Sequence, residues 1–216
     1  MKYKLVIFDL DGTLLNTLED LKDSVNYALK NNDMDTRSLD EVREFVGNGI
    51  RKLIERCVPE NTGTELTDKT FDDFCRYYKE HSMDKTIPYP GIIDSLKKLH
   101  NNSCFTAVIS NKADFAVQNL CNHFFGENLD YVAGAREGIN KKPSPDAVYD
   151  CISHFGLEKC DVVYVGDSEV DVETCKNAGI DGIFVTWGFR SIEILRNAGA
   201  INMVSDCNEM MELLLK

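Results

Sequence analysis

At 216 residues with 43% hydrophobic positions, the chain is long enough for one substantial domain and a smaller insert, each with its own core. A formal net charge of −12 and a sequence pI near 4.8 repel nucleic acid and anionic lipid, so a bound phosphate would need a local positive site. No run approaches the ~18 apolar residues of a membrane span, and the N-terminus lacks a signal-peptide pattern. A cytoplasmic globular protein is expected, with no nucleic-acid or membrane partner.

The first apolar run, Lys4-Leu5-Val6-Ile7-Phe8, has the character of a strand buried on both faces. Asp9-Leu10-Asp11-Gly12-Thr13 follows, with two carboxylates where the strand should end. Residues two apart on a strand project to the same side, so Asp9 and Asp11 face one cavity if the chain stays extended and point differently if it turns at Leu10. Adjacent buried carboxylates need a cation or a shared proton, and Mg2+ is a suitable oxygen-seeking ion. The plainer alternative is an Asp-rich turn with both side chains in water.

From residue 16 to 85 the pattern is helical. Thr17-Leu18-Glu19-Asp20 resembles a capped helix start, and Leu18, Leu21, Val25 and Leu29 recur at helical spacing. A short helix is predicted over Leu39 to Val46, a break at Gly47-Asn48-Gly49, and further helical stripes through Ile50 to Cys57 and Phe71 to Tyr78. Ile87-Pro88-Tyr89-Pro90-Gly91 contains two prolines and reads as an irregular return connection. The expected division is therefore 1–15 and 86–216 as one domain, with 16–85 as an all-helical insert.

Beyond the prolines helix and strand alternate. A helix over Ile92 to His100, strands over Phe105 to Ile109 and Tyr131 to Ala133, a helix opened by Ser144-Pro145 and closed by Gly156, strands at Val162 to Val165 and Ile183 to Val185, and a final helix capped by Asp206 are predicted. Alternation of this kind gives an α/β fold, a Rossmann-like parallel sheet covered by helices on both faces. Ligands of such sheets bind beyond the carboxyl ends of the strands. Polar stretches fall there: Ser110-Asn111-Lys112, Lys141-Lys142-Pro143, and Gly166-Asp167-Ser168-Glu169-Val170-Asp171. Each has a structural alternative, since Ser110 or Asn111 could cap a helix, Lys142 could be solvated, and Asp171 could complete a capping box with Ser168. The eight cysteines are scattered without a C-x-x-C and read as reduced, mostly core residues, while the four histidines show no ligand spacing.

Taken together, Asp9-Leu10-Asp11-Gly12-Thr13, Ser110, Lys142-Pro143 and Gly166-Asp167 through Asp171 resemble the four ordered motifs of the haloacid dehalogenase superfamily of phosphohydrolases. The insert is similar to that family's helical cap. Val46-Gly47-Asn48-Gly49, Tyr89-Pro90-Gly91, Ser110-Asn111-Lys112 and Thr186-Trp187-Gly188-Phe189 resemble its phosphoglycolate phosphatase branch, although Asn16 stands where that branch often carries Asp. The resemblance implies a phosphatase acting on a small phosphorylated metabolite. Asp9 would be the nucleophile and form an aspartyl phosphate, and Asp11 the general acid and then base. Mg2+ would be held by Asp9, the main-chain carbonyl of Asp11 and Asp167, with Asp171 acting from behind them. Ser110 and the amide after it, that of Asn111, would bind phosphoryl oxygens, while Lys142 would balance the carboxylate cluster and stabilise the transferred group.

The insert is expected to close over these residues and select by size. Gly47-Asn48-Gly49 with Arg51 offers amides and a cation to a substrate carboxylate, or is merely an interhelical turn beside a solvated charge. A phosphomutase of the β-phosphoglucomutase type and a non-catalytic phosphate-binding regulator are the alternative functions.

Overall fold

Four buried apolar residues, Leu5–Phe8 (β1), run through the middle of a six-stranded parallel sheet. The structure is a computed structural model describing residues 2–216, and the chain divides into two units, one comprising the chain up to Leu15 with Pro88–Lys216 and the other Asn16–Ile87. Leu15–Asn16 (β2) and Ile87–Pro88 (β3) pair as a separate two-stranded sheet. The Ile87-Pro88 step is thus a short strand, where the sequence suggested no regular element. So short a strand has few ladder positions, and one proline is tolerated there.

Within the helical unit, Leu18–Lys30 (α1), Leu39–Phe45 (α2), Ile50–Cys57 (α3) and Thr64–His81 (α4) bury Leu21, Val25, Leu29, Val42, Leu53, Ile54, Phe74 and Tyr78. Ser38 and Glu41 close a capping box at α2. The start of α1 differs from expectation, because Thr17 makes no side-chain cap there. Asp20 is buried and turns to the return segment, accepting hydrogen bonds from the Lys85 amide at 3.0 Å, the Thr86 amide at 2.8 Å and the Thr86 hydroxyl at 2.8 Å.

In the other unit the helices Ile92–Asn101 (α5), Asp114–Phe124 (α6), Asp146–Phe155 (α7), Glu169–Ala178 (α8), Ile192–Ala198 (α9) and Cys207–Leu214 (α10) alternate with Phe105–Ala113 (β4), Tyr131–Ala135 (β5), Val162–Gly166 (β6), Asp181–Val185 (β7) and Met203–Val204 (β8). The sheet order is β5-β4-β1-β6-β7-β8, parallel throughout. Leu5 and Ile7 of β1 pack with Val148 and Ile152 of α7, Val172 and Cys175 of α8, and Leu195 of α9 in one buried cluster, as alternation along a strand requires. All eight cysteines are free, and Cys57, Cys104, Cys121, Cys151 and Cys175 are buried.

Two elements and two boundaries depart further from the sequence reading. Strand β8 and helix α9 carry too few periodic residues to announce themselves. Helix α7 starts at Asp146, and Ser144 does not cap it but donates its hydroxyl to Asp146 Oδ1 at 2.7 Å. Strand β4 continues past Ile109 to Ala113, with its pairing to β5 shifted between those residues, so Ser110-Asn111-Lys112 is extruded as a bulge.

Register sets up the site. Phe8 lies opposite Val108 on one side and Val165 on the other, so the residues that follow each strand leave the sheet next to one another.

Replacing Asp20 with Ala is expected to lower stability by about 2–3 kcal/mol, because buried main-chain donors lose their acceptor. The urea midpoint should fall at unchanged slope, and Asp20→Asn, which keeps one acceptor oxygen, should lose less.

Candidate active site

The chain turns immediately after Asp9. The Asp9 amide still donates to Val165 in the ladder at 2.9 Å, but the Leu10 carbonyl then accepts from the amides of Thr13, Leu14 and Leu15. Gly12 makes this turn at a φ of +88°, where a side chain would be strained. Asp9 and Asp11 therefore meet different cations. Asp9 Oδ1 accepts from the Leu10 amide at 2.7 Å and lies 3.0 Å from Lys142 Nζ, whereas both Asp11 oxygens lie 2.9 Å from Lys112 Nζ. The two ammoniums are buried, with side-chain exposures of 3% for Lys142 and 2% for Lys112.

Lys142 also contacts Asp171 Oδ1 at 2.7 Å and donates to the Tyr164 hydroxyl at 2.8 Å. Asp171 is fully buried, and its other oxygen accepts from the Asp167 amide, the Ser168 amide and the Ser168 hydroxyl. The capping box with Ser168 is present, so Asp171 both starts α8 and anchors Lys142. Its carboxylate packs so tightly against Gly166 that a β-carbon there would collide with it.

Asp167 Oδ1 accepts from the Thr13 hydroxyl at 3.0 Å and Oδ2 from the Phe189 amide at 2.8 Å. A β-carbon on Gly12 or Gly188 would overlap Asp167, so these glycines form the cradle in which the carboxylate sits. Trp187 Nε1 donates to the Thr13 carbonyl at 3.1 Å and ties the two sides of the cradle together.

Carboxylate oxygens of Asp9, Asp167 and Asp171 all lie within 4.8 Å of one another. Burial pushes the Asp9 carboxyl up to about 6 despite Lys142, with Asp171 and Asp11 adding to the rise. Burial, then the charges of Asp171 and Asp9, push Asp167 up to about 8 against the pull of the Phe189 amide and the Thr13 hydroxyl. Burial alone would lower Lys142, but contact with Asp171 and Asp9 outweighs it and holds the ammonium above the ordinary lysine range. Burial and the Asp171 charge keep the Tyr164 hydroxyl protonated. Converging hard oxygens that resist ionisation together suit a divalent cation.

Of the residues expected from sequence, Asp9, Asp167, Asp171 and Lys142 come together directly. Ser110 is buried on the bulge, where its hydroxyl accepts from the Lys112 amide at 3.3 Å. Asn111 is also buried and donates its side-chain amide to the Lys142 carbonyl at 3.0 Å, so that side chain braces the lysine loop. Arg51 belongs to the helical unit, where it is paired with Glu55 at 2.9 Å and with Asp68. A carboxylate would have to compete with both. The sequence reading missed Thr13, Lys112, Tyr164 and the Phe189 amide as supporting groups. Lys112 and Phe189 lay inside stretches already singled out, whereas Tyr164 is hidden in an apolar strand.

The family model of haloacid dehalogenase-like hydrolases matches residues 6–185. This chain belongs to that family. Among its relatives, a phosphoglycolate phosphatase of Psychrobacter arcticus is 30% identical over 100% of this chain and 97% of its own length. One from Pseudomonas syringae pv. tomato is 32% identical over 86% of this chain and 70% of its own. A crystal structure from Lactobacillus delbrueckii subsp. bulgaricus, assigned to the phosphoglycolate phosphatases, superposes with a TM-score of 0.94 at 33% identity and covers 99% of both chains. No helix among the described residues of this hydrolase is long and apolar enough to cross a membrane.

The raised carboxyls have a thermodynamic consequence. Their ordinary value is 3.8, below the native values of about 6 and about 8, so the native state binds more protons than the unfolded chain across that interval. Without metal, stability should therefore fall as pH rises from about 4 toward about 8. Urea unfolding of the chelated protein measures this fall. Asp167→Asn should flatten its upper part, and a divalent cation should restore stability at the alkaline end.

Proposed function

We propose that the protein is a Mg2+-dependent phosphatase that hydrolyses a small phosphate monoester, 2-phosphoglycolate or a close relative, through an aspartyl phosphate on Asp9. The observation that carries this reading is the position of Asp9. It stands at the end of the central strand, held by Lys142 and within reach of Asp167 and Asp171, with Asp11 two residues away on a separate cation. Relatives named for phosphoglycolate hydrolysis, aligned over nearly the whole chain, support the substrate class.

A phosphate monoester resists attack because its oxygens are already negative, so a catalyst must screen charge and align a nucleophile. The Leu10 amide and Lys142 engage Asp9 Oδ1, which leaves its other oxygen to attack phosphorus. Asp9 and Asp167, with the main-chain carbonyl of Asp11, would hold Mg2+, and the bound ion supplies positive charge to both the carboxylates and the phosphoryl oxygens. Thr13, Phe189, Gly12 and Gly188 fix Asp167 in place. Asp171 holds Lys142, whose ammonium remains charged and stabilises the transferred group. Asp11 gives a proton to the leaving alkoxide and takes one from the water that later cleaves the aspartyl phosphate. To do so its carboxylate has to leave Lys112.

Phosphate release from 2-phosphoglycolate, hexose phosphates, nucleotides and p-nitrophenyl phosphate, with and without Mg2+, tests this reading. Turnover should require Mg2+, vanish with a chelator and favour the smallest anionic ester. Asp9→Asn should fold normally and lose more than about a thousandfold in kcat, as expected when a covalent nucleophile is removed. Turnover of that variant within tenfold of wild type would refute the role of Asp9.

A further inference from the structure

Lys112 is not accounted for by the chemistry at phosphorus. Its ammonium is almost completely buried, yet it emerges from the bulge of β4 rather than from the loop that carries Lys142, and it donates to both oxygens of Asp11. Burying an ammonium is costly, and a general acid gains nothing from being pinned by both oxygens. The arrangement makes sense if Lys112 can exchange Asp11 for another carboxylate.

Geometry indicates which one. Asp11 must approach the leaving oxygen of the ester, and Lys112 Nζ is one hydrogen bond, 2.9 Å, from either Asp11 oxygen. In 2-phosphoglycolate the carboxylate is a single methylene from that same leaving oxygen. A cation adjacent to the acid is therefore adjacent to the substrate's carboxylate. Lys142, the other cation at the carboxylates, lies between Asp9 and Asp171. An ammonium is a compact charge with three donors and passes readily from one carboxylate to another, unlike the fixed fork of a guanidinium.

We propose that Lys112 reads the carboxylate of the substrate: its ammonium, which holds Asp11 in this structure, passes to an α-carboxylate on the leaving group, and the released Asp11 takes up a proton from solvent and turns toward the leaving oxygen. Recognition and deployment of the general acid are then one exchange of partners. An ester without the carboxylate leaves Asp11 on Lys112 and is turned over less well. This inference rests on the phosphatase reading above and moves the selection of anionic substrates from Arg51 to the core of the α/β unit.

Hydrolysis of 2-phosphoglycolate and of ethyl phosphate, which has the same chain length without the carboxylate, provides the test. Wild type should favour 2-phosphoglycolate in kcat/KM, and Lys112→Met should reduce the ratio of the two values by about tenfold or more. Lys112→Arg should retain part of the preference. Glycolate should inhibit ethyl phosphate hydrolysis by wild type and do so at least about tenfold more weakly in the Met variant, a readout that a purely supporting role for Asp11 would not move. Lys112→Gln serves the same decision if the Met variant does not fold. A ratio unchanged while both substrates slow together means that Lys112 serves Asp11 alone, and it overturns the inference while leaving the phosphatase intact. Absence of any preference in wild type overturns the glycolate reading and this inference with it.

Discussion

Three carboxylates, Asp9, Asp167 and Asp171, converge at the ends of adjacent buried strands, and the ammonium of Lys142 contacts two of them, Asp9 and Asp171. The charges do not balance, and in a buried setting an imbalance of this size is expensive unless protons or a cation correct it. Much of the surrounding structure follows from holding these groups together. Asp171 is stabilised by three donors from its own helix start, Asp167 by a hydroxyl and an amide from two different loops, and Asp9 by the amide of the next residue. Glycines occur at positions 12, 166 and 188, where a β-carbon would touch one of the carboxylates. The stored repulsion makes the site receptive to a divalent ion and to a phosphoryl group, since both relieve it.

The parallel sheet was readable because its strands are buried on both faces and appear as unbroken apolar runs, as in Leu5–Phe8 and Val162–Val165. The elements that escaped notice are those whose form depends on distant partners. Ile87–Pro88 is a strand only because Leu15–Asn16 lies beside it, and the bulge at Ser110 to Lys112 exists only relative to β5. Asp20 has the local pattern of a capping residue, but a longer-range demand, the amides of Lys85 and Thr86, takes its carboxylate.

The same distinction applies at the site. Asp9, Asp167, Asp171 and Lys142 are singled out from sequence because the stretches that carry them resemble, in order, the motifs of the family. Their pairing is not legible there. Whether Asp9 and Asp11 face one cavity depended on where the chain turns, and the turn at Leu10 sends them to two different lysines. The side chain of Asn111 likewise braces the Lys142 loop, a partnership that its own stretch of sequence does not announce. Arg51 lies in a different unit and in ion pairs that its local sequence does not announce, since Asp68 is on the next helix.

The central claim is that Asp9 becomes covalently phosphorylated, and the most direct measurement is acid quenching during turnover of a phosphorus-labelled monoester, followed by borohydride reduction and peptide mapping. Attack by the Asp9 carboxylate on phosphorus expels the alkoxide and leaves the label on an acyl phosphate, which reduction converts at that position to homoserine. Label and reduction product confined to the Asp9 peptide are the predicted result. Stoichiometric label on another residue, or full turnover with inversion at phosphorus and no labelled protein, would contradict the account.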